Sequence, residues 1–351
     1  MFENTKPGLP DPMNLLKLAA DSDHSPDKID VGLGVYRDEN GEYYEFRAKK
    51  LLAAERADHD YGPTTGNPKF NRLARELLFG EQSSVLQKVG DSLNKYAEMW
   101  LNVSKQICTV QTLSGTGANH LAALFLSRTA RDNGRMPRVY LGTPGWGNHD
   151  PLFSLPGFDV VKYQYYDFEN RCVDFESVMT AVNGADHGSI FVLQACCHNP
   201  TAADPSKEEW KTLAMAMKAR NHFPVFDVAY MGLGGGLAED AYAVRLFAEM
   251  GFEMAACQSF AKNFGLYGER VGALHVVCHD GKIAQNVEGQ LRNLIRWEFS
   301  SSPLYGARLV TAILGNAHLK IAWQKELEEI RERLASTRSQ LVNAFTQLQV
   351  G

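Results

Sequence analysis

Short apolar runs alternate with helical or loop segments between about residues 110 and 280. The runs lie at residues 138–141, 190–195, 225–226, 255–257 and 271–277. Apolar runs of this length are typical of buried strands, and their alternation with helices indicates an α/β fold. We therefore predict a mainly parallel central sheet with helices on both faces.

Three further segments have the spacing of helices that bury one face. Residues 67–79 predict a helix with Pro68 near its start, and residues 116–131 predict another. From Leu319 onward, apolar residues recur at intervals of three, four and seven, which predicts one long helix. The first 45 or so residues are interpreted as an arm that leads into a short strand and turn at 29–41.

Composition and charge exclude several classes of function. The chain has 351 residues, a formal net charge of -5 and 44% hydrophobic residues, which fits about two globular domains. Slight acidity argues against nucleic acid as a partner, and no apolar stretch approaches the ~18 residues of a membrane span. The N-terminus resembles neither a signal nor a transit peptide, so we expect a cytosolic protein.

None of the six cysteines stands in a Cys-x-x-Cys pair, and several lie in apolar, strand-like runs, where a free thiol behaves as a small hydrophobic side chain. A reducing compartment suits such cysteines. Zinc is not expected, since only His198 lies beside the Cys196–Cys197 pair and no second ligand pair follows at metal spacing.

Polar clusters directly follow most of the predicted strands, at residues 143–149, 198–201, 227–230 and 259–262. In open α/β sheets, ligands bind outside the carboxyl ends of the strands. The four clusters therefore predict one convergent site.

Lys262 closes the last of these clusters. A lysine after a buried strand is desolvated, which lowers its pKa and makes its amine a nucleophile. A plain surface lysine is the alternative. The Ser259-Phe-Ala-Lys262 spacing also matches the Ser-x-x-Lys of acyl enzymes, but the accompanying Ser-Asp-Asn and Lys-Thr-Gly motifs do not occur.

Two other motifs are candidates for binding charge. Asp227 ends an apolar run, where a carboxylate needs a partner; the alternative is that it caps a helix or turn. The Ser114-Gly-Thr-Gly117 segment precedes a predicted helix and either binds an anion at the helix N-terminus or forms a plain cap. The glycines at 232–236 lack the spacing of a dinucleotide fingerprint.

Three larger side chains complete the candidates. Arg270 and Arg296 present forked cations that suit phosphate or carboxylate, or they form structural ion pairs. Trp146 lies between two glycines, where its ring either stacks on a planar ligand or packs within the loop.

The order and wording of five motifs resemble aspartate aminotransferases, which are fold-type I pyridoxal-phosphate (PLP) enzymes. The motifs are Ser-Gly-Thr-Gly-Ala at 114–118, Pro-Gly-Trp-Gly-Asn-His at 144–149, His-Asn-Pro-Thr at 198–201, Phe-Asp-Val-Ala-Tyr at 226–230 and Gln-Ser-Phe-Ala-Lys-Asn-Phe-Gly-Leu-Tyr-Gly-Glu-Arg-Val-Gly-Ala at 258–273. The resemblance runs from about Pro10 to the end of the chain, and the last motif is highly specific.

This resemblance implies roles around a PLP cofactor. Lys262 forms a Schiff base with the cofactor and moves the proton at the substrate α-carbon. Asp227 pairs with the pyridine nitrogen and His149 supports Asp227. The other implied cofactor contacts are Asn199 and Tyr230 at the phenolic oxygen, Trp146 on the ring, and Ser114, Gly115, Thr116, Ser259 and Arg270 at the phosphate.

The resemblance also implies a homodimer with shared sites. Tyr61 matches the tyrosine that reaches the phosphate of the neighbouring subunit. Arg296 matches the arginine that reaches across the dimer to the distal carboxylate of aspartate or glutamate. Gly34 matches the backbone that closes over substrate, which Trp146 and Asn199 also contact. The implied reaction is transamination between L-aspartate and 2-oxoglutarate, giving oxaloacetate and L-glutamate, with aromatic or dual specificity as an alternative.

The implied fold adds a smaller α+β domain to the large one. We expect the arm and first part of the small domain at 1–45, the large PLP-binding domain at 46–318, and a linking helix with the start of an incomplete small domain at 319–351. The family's second arginine, which binds the substrate α-carboxylate, has no match here. Either the chain is a shortened version of a complete enzyme, or it is a natural short form that binds PLP and transaminates poorly.

Smaller departures from the family pattern surround the same motifs. Ala202 replaces the glycine that usually follows His-Asn-Pro-Thr, and Gln194 and Ser301 stand where the family usually has His and Asn. The 231–236 stretch also differs. These positions are expected to alter fine tuning of the site.

Overall fold

The computed structural model describes residues 61–80, 106–130 and 134–347, with scattered residues between 16 and 47. It divides into two compact units, Met1–Tyr44 and Glu45–Gly351. In the first unit, Gly41 donates its backbone N–H to the Asp38 carbonyl at 3.1 Å and so closes a turn within the predicted segment 29–41. The predicted boundaries after residues 45 and 318 stay predictions.

The second unit is built on a β-sheet. The strands of the described part are β1 Ile107–Leu113, β2 Val139–Thr143, β3 Val160–Gln164, β4 Tyr166–Asp167, β5 Cys172–Val173, β6 Ile190–Gln194, β7 Phe223–Val228, β8 Met254–Ser259 and β9 Val271–Val277. Seven of them form one sheet in the order β1-β9-β8-β7-β6-β2-β3, and β4 and β5 form a separate two-stranded sheet.

Five neighbouring strands of the large sheet run parallel: β3, β2, β6, β7 and β8. Strand β9 enters antiparallel to both β8 and β1. The sheet is therefore mixed but mainly parallel, which confirms the predicted α/β architecture. The five parallel strands direct their carboxyl ends to one edge of the sheet.

Helices account for most of the remaining described residues of this unit. They are α1 Pro68–Phe79, α2 Ser114–Thr129, α3 His149–Ser154, α4 Phe175–Gly184, α5 Lys207–Ala219, α6 Leu237–Asp240, α7 Tyr242–Glu249, α8 Gly281–Glu298, α9 Leu304–Leu314 and α10 Ala317–Gln347. Helix α1 begins at Pro68, as predicted, and the Asn67 side chain accepts from the N–H groups of Lys69 and Phe70.

Alternate side chains of the sheet pack on helices of opposite faces. Val225 lies in the apolar core that includes residues of α2 and α8. The next residue, Phe226, lies 6.0 Å from the Trp210 ring of α5 and 5.0 Å from the Phe247 ring of α7. Because successive strand residues point to opposite faces, both faces of the sheet are covered. This confirms the predicted layers.

The predicted long helix is α10. Its first half is anchored by Trp323, Leu327 and Ile330, which are buried. Its second half exposes Leu341 and Phe345. No described helix is both long and apolar enough to cross a membrane.

Candidate active site

The four polar clusters meet in one pocket at the carboxyl ends of β2, β6, β7 and β8. The first turn of α2 closes its other side. The pocket is lined by Ser114, Gly115, Thr116, Trp146, Gln194, Asn199, Asp227, Ala229, Tyr230, Ser259, Ala261, Lys262 and Arg270.

Lys262 projects from the turn that follows β8. Its Nζ lies 5.5 Å from the centre of the Tyr230 ring and 5.8 Å from that of Tyr267. Burial lowers the pKa of Lys262, the Arg270 guanidinium lowers it further, and Asp227 acts in the opposite direction. The surface-lysine alternative is therefore wrong, because this amine is partly desolvated and lines the pocket.

Asp227 is the buried carboxylate at the end of β7, and it caps neither a helix nor a turn. Its Oδ2 lies 2.9 Å from His149 Nε2. The Trp146 ring packs edge-on against the His149 ring at 5.1 Å. The loop after β2 thus orients the histidine, and the histidine partners the carboxylate.

Asn199 is held in the pocket through its own backbone. Its N–H donates to Gln194 Oε1 at 2.8 Å, and Gln194 Nε2 donates to the Asn199 carbonyl at 3.0 Å. Burial raises the pKa of the Tyr230 phenol, and the negative charge of Asp227 raises it further. The phenol therefore keeps its proton at neutral pH.

The motif at Ser114 forms the first turn of α2 instead of preceding the helix, which begins two residues before the predicted start. The N-cap residue Leu113 makes no side-chain hydrogen bond to this turn. Ser114 Oγ and Ser259 Oγ lie 3.1 Å apart. Arg270 lines the same pocket. Two hydroxyls, a helix N-terminus and one guanidinium are groups that can hold an anion.

Three predicted residues lie outside this pocket, and a fourth lies outside the described residues. His149 does not line the pocket itself and reaches it only through its contact with Asp227. Tyr61 is 88% exposed and borders a separate pocket beside α1 and α9. Arg296, at the end of α8, is exposed and donates to Ser300 Oγ. Gly34 is the one outside the described residues.

Sequence reasoning missed the part that Gln194 plays. It was noted only as a departure from a family pattern, although it is the last residue of β6 and its amide holds Asn199 on both sides. The strand-end signal that identified Asp227 applies equally to Gln194. Ala229 and Ala261 also line the pocket, and their small side chains gave no chemical signal.

Comparison with known proteins agrees with this geometry. Residues 26–351 match the family model "Aminotransferase class I and II". Aminotransferase tasG of Hapsidospora irregularis is 46% identical over 316 residues, which cover 90% of this chain and 80% of that protein. The mitochondrial aspartate aminotransferase of Dictyostelium discoideum is 41% identical over 346 residues, which cover 97% of this chain and 76% of that protein.

Solved structures match over the whole described fold. The aspartate aminotransferase from Saccharomyces cerevisiae cytoplasm superposes with a TM-score of 0.89 at 34% identity, covering 99% of this chain and 83% of that one. An aromatic-amino-acid aminotransferase from Burkholderia pseudomallei, covalently bound to pyridoxal phosphate, gives the same score, identity and coverage. The chain belongs to the class I and II aminotransferases, a PLP-dependent family, as its motifs predicted.

Proposed function

We propose that this protein transaminates L-aspartate and 2-oxoglutarate to oxaloacetate and L-glutamate, with PLP as cofactor. One observation supports this most directly. A partly desolvated lysine amine shares a pocket with Asp227, which is paired with His149, and with the serine hydroxyls and guanidinium that can hold an anion. In one cavity, the lysine can attach a cofactor covalently and the aspartate can pair with a protonated ring nitrogen. The remaining groups can bind a phosphate.

The described residues fit the cofactor. A Cβ placed on Gly115 would lie 3.1 Å from Ser259 Cβ and 3.9 Å from Asp227 Oδ1. The glycine therefore leaves open a space that reaches from the serine hydroxyls to the carboxylate, which is where the ring and its phosphate would lie. The donors at one end suit a dianion, and the acid at the other suits a protonated nitrogen.

Each polar residue has a definable task in this scheme. PLP, when bound, supplies a conjugated ring that takes up the electron pair left at the substrate α-carbon. Lys262 would hold the cofactor through its ε-amino group, and the same amine would move the α-proton of the substrate. Asp227, supported by His149, keeps the ring nitrogen protonated.

The remaining side chains orient the ring and the substrate. Tyr230 and Asn199 would hydrogen-bond the phenolic oxygen, and Trp146 would stack on the ring. Ser114, Gly115, Thr116, Ser259 and Arg270, which line the same pocket, would hold the phosphate.

Substrate selection is assigned to Arg296 and to the backbone at Gly34. A forked guanidinium pairs with the second carboxylate of a dicarboxylic substrate. Since Arg296 and Tyr61 lie outside the pocket of their own chain, we place them in the neighbouring site of a homodimer. Aromatic aminotransferases among the similar structures make tyrosine the second substrate to test. Relatives named for cytoplasm and for mitochondria both match, so the cytosolic location stays a prediction.

Borohydride reduction of the protein with PLP tests the cofactor assignment. We expect a pyridoxyl adduct at Lys262, mapped by peptide mass spectrometry, and no adduct at that peptide in Lys262→Ala. Lys218→Ala, which removes a lysine hydrogen-bonded to the Gly251 carbonyl on the surface, is the matched control. An adduct spread over surface lysines with none at Lys262 would disprove the assignment.

Single-turnover assays then test the substrates. Protein loaded with PLP is mixed with aspartate, tyrosine or alanine, and the 2-oxo acid is measured. Oxaloacetate as the main product supports the proposal. Failure of every amino acid to react, with the adduct at Lys262 intact, would leave a PLP-binding subunit without transaminase activity.

A further inference from the structure

Two adjacent thiols lie on the same side of the chain next to the active-site loop. Successive residues of an extended strand point to opposite faces, but Cys197 has φ +49° and turns the chain just after β6. As a result, Cys196 Sγ, Cys197 Sγ and a carboxylate oxygen of Asp240 all lie within 4.8 Å of one another. A hydrogen bond between the two thiols raises the pKa of Cys196, which agrees with their contact.

The carboxylate is held in place by the glycine loop before α6. Asp240 Oδ2 accepts from the N–H groups of Gly232 at 2.7 Å and Gly234 at 3.0 Å, and Oδ1 accepts from Gly235 at 2.7 Å. An ionised carboxylate has about four lone-pair positions, so Oδ1 retains one for a further partner. Hydrogen bonds of this kind orient metal ligands in proteins.

Gly234 leaves the space between two of the ligand atoms open. A Cβ at this position would lie 2.7 Å from Cys197 Sγ and 2.8 Å from Asp240 Oδ1. Both atoms therefore face the same small volume. Cys196 and Asp240 are buried, whereas Cys197 is half-buried and provides the access from solvent.

We propose that Cys196, Cys197 and Asp240 form a binding site for one thiophilic divalent cation of the Zn²⁺ type. Thiolates prefer such ions over magnesium or calcium, and two sulfurs with one carboxylate leave a fourth position for water. In a tetrahedral zinc site the ligand atoms are about 3.6–3.8 Å apart, given bond lengths of ~2.3 Å to sulfur and ~2.1 Å to oxygen. Rotation of the two cysteine side chains closes the remaining gap, and each thiol releases its proton to solvent as its sulfur binds.

This site could not be predicted from the sequence, because Asp240 lies far along the chain from the two cysteines. The Cys pair has no second ligand pair at metal spacing, and the fold supplies the third ligand from the last residue of α6. Asn199 follows Cys197 by two residues and lines the active-site pocket. A bound ion would therefore fix the loop that carries Asn199.

Equilibrium dialysis against Zn²⁺, with elemental analysis of the purified protein, tests the site. We expect roughly one tightly bound ion per chain, and at least ~10-fold weaker binding in Cys197→Ser, Cys196→Ser and Asp240→Asn. Cys172→Ser is the matched control, because Cys172 is an exposed free cysteine outside the cluster. Gly234→Ala keeps every ligand but places a methyl group between two of them, so it should weaken binding as well.

Thiol alkylation read by peptide mass spectrometry gives a second measurement on the same samples. Zn²⁺ should protect Cys197 and leave Cys172 reactive within the same molecule. Circular dichroism identifies any variant that has not folded. Equal zinc binding in the wild type and in folded Cys197→Ser or Gly234→Ala, or unchanged alkylation of Cys197, would overturn the proposal.

Discussion

The Lys262 amine lies in the field of two side chains of opposite charge. Arg270 adds to the effect of burial in lowering the pKa of Lys262, and Asp227 opposes it. Removing the guanidinium therefore raises that pKa, and less of the nucleophilic neutral amine is present at a given pH. We expect Arg270→Gln to shift acetylation of Lys262 by acetic anhydride, in protein free of PLP, toward higher pH.

Quantitative mass spectrometry of the Lys262 peptide across a pH series measures this shift. Arg270→Lys keeps the positive charge and should leave the profile near that of the wild type. A profile in Arg270→Gln that is unchanged, or shifted toward lower pH, would contradict the electrostatic argument.

Ala202 adopts a backbone conformation that suits glycine. Its φ is +54°, and its N–H donates to the His198 carbonyl at 2.7 Å, which holds the turn closed. A residue with a Cβ pays roughly 1–2 kcal/mol in the left-handed region, and glycine loses part of that gain through its greater freedom in the unfolded chain. We expect Ala202→Gly to increase the free energy of unfolding by up to about 1 kcal/mol.

Urea unfolding followed by circular dichroism checks the sign. Ala335→Gly, on the exposed part of α10, is the control with the opposite expectation, a loss of about 1 kcal/mol. Equal destabilisation by both substitutions would show that the turn at Ala202 carries no strain.

At the scale of elements, strands with mostly apolar sequences were predictable and β1 was not. The runs at β6 and β9 were predicted from sequence because most of their residues are apolar, and the structure buries nearly all of them. Strand β1 carries Gln111, which is fully buried. A polar side chain is tolerated there because its Nε2 donates to the Pro303 carbonyl at 2.7 Å. That partner lies far along the chain, so the sequence alone does not show that a buried glutamine is satisfied there.

The residues of the candidate site likewise fall into those that the sequence predicts and those that it does not. Residues that end apolar runs, such as Asp227, were predicted because the carboxyl ends of parallel strands meet. The two hydrogen bonds between the Gln194 amide and the Asn199 backbone depend on the path of the loop that joins these residues. That loop includes the turn at Cys197. Local periodicity carries no information on such a loop.

Helix α10 is tied to the lysine loop by one tryptophan. Trp323 Nε1 donates to the Asn263 carbonyl at 2.8 Å, and its ring stacks on Phe264 at 4.4 Å. Trp323→Phe preserves most of the stacking and leaves a buried carbonyl without its donor, which costs about 1–3 kcal/mol. We expect a corresponding drop in the free energy of unfolding, measured in urea.

The matched control for this substitution is Trp297→Phe. Trp297 is 66% exposed on α8, so the same chemical change should cost about 0.5 kcal/mol or less. If the two variants lose equal stability, the hydrogen bond from α10 does not anchor the lysine loop.

At the scale of the whole molecule, Arg296 lies outside the pocket of its own chain. We therefore predict that each active site of a dimer contains residues from both subunits. In a two-fold dimer each site would take Lys262 from one chain and Arg296 from the other. A dimer formed from one Lys262→Ala chain and one Arg296→Ala chain then has one site with both wild-type residues and one with neither. Random mixing in equal amounts gives half mixed dimers, so roughly a quarter of the wild-type sites are restored.

Refolding the two variants together, followed by an aspartate transamination assay, measures this recovery. Light scattering on the same sample gives the mass of the assembly. Each variant alone should show little aspartate activity, the Lys262→Ala chain because it cannot attach PLP and the Arg296→Ala chain because it binds a distal carboxylate poorly. Recovery toward a quarter of wild-type activity requires both residues to serve one site from different chains. Mixed dimers that form without any recovery of activity would instead place Arg296 at the site of its own chain. Because Arg296 is exposed, α8 would then have to move when substrate binds, so that the guanidinium reaches the pocket.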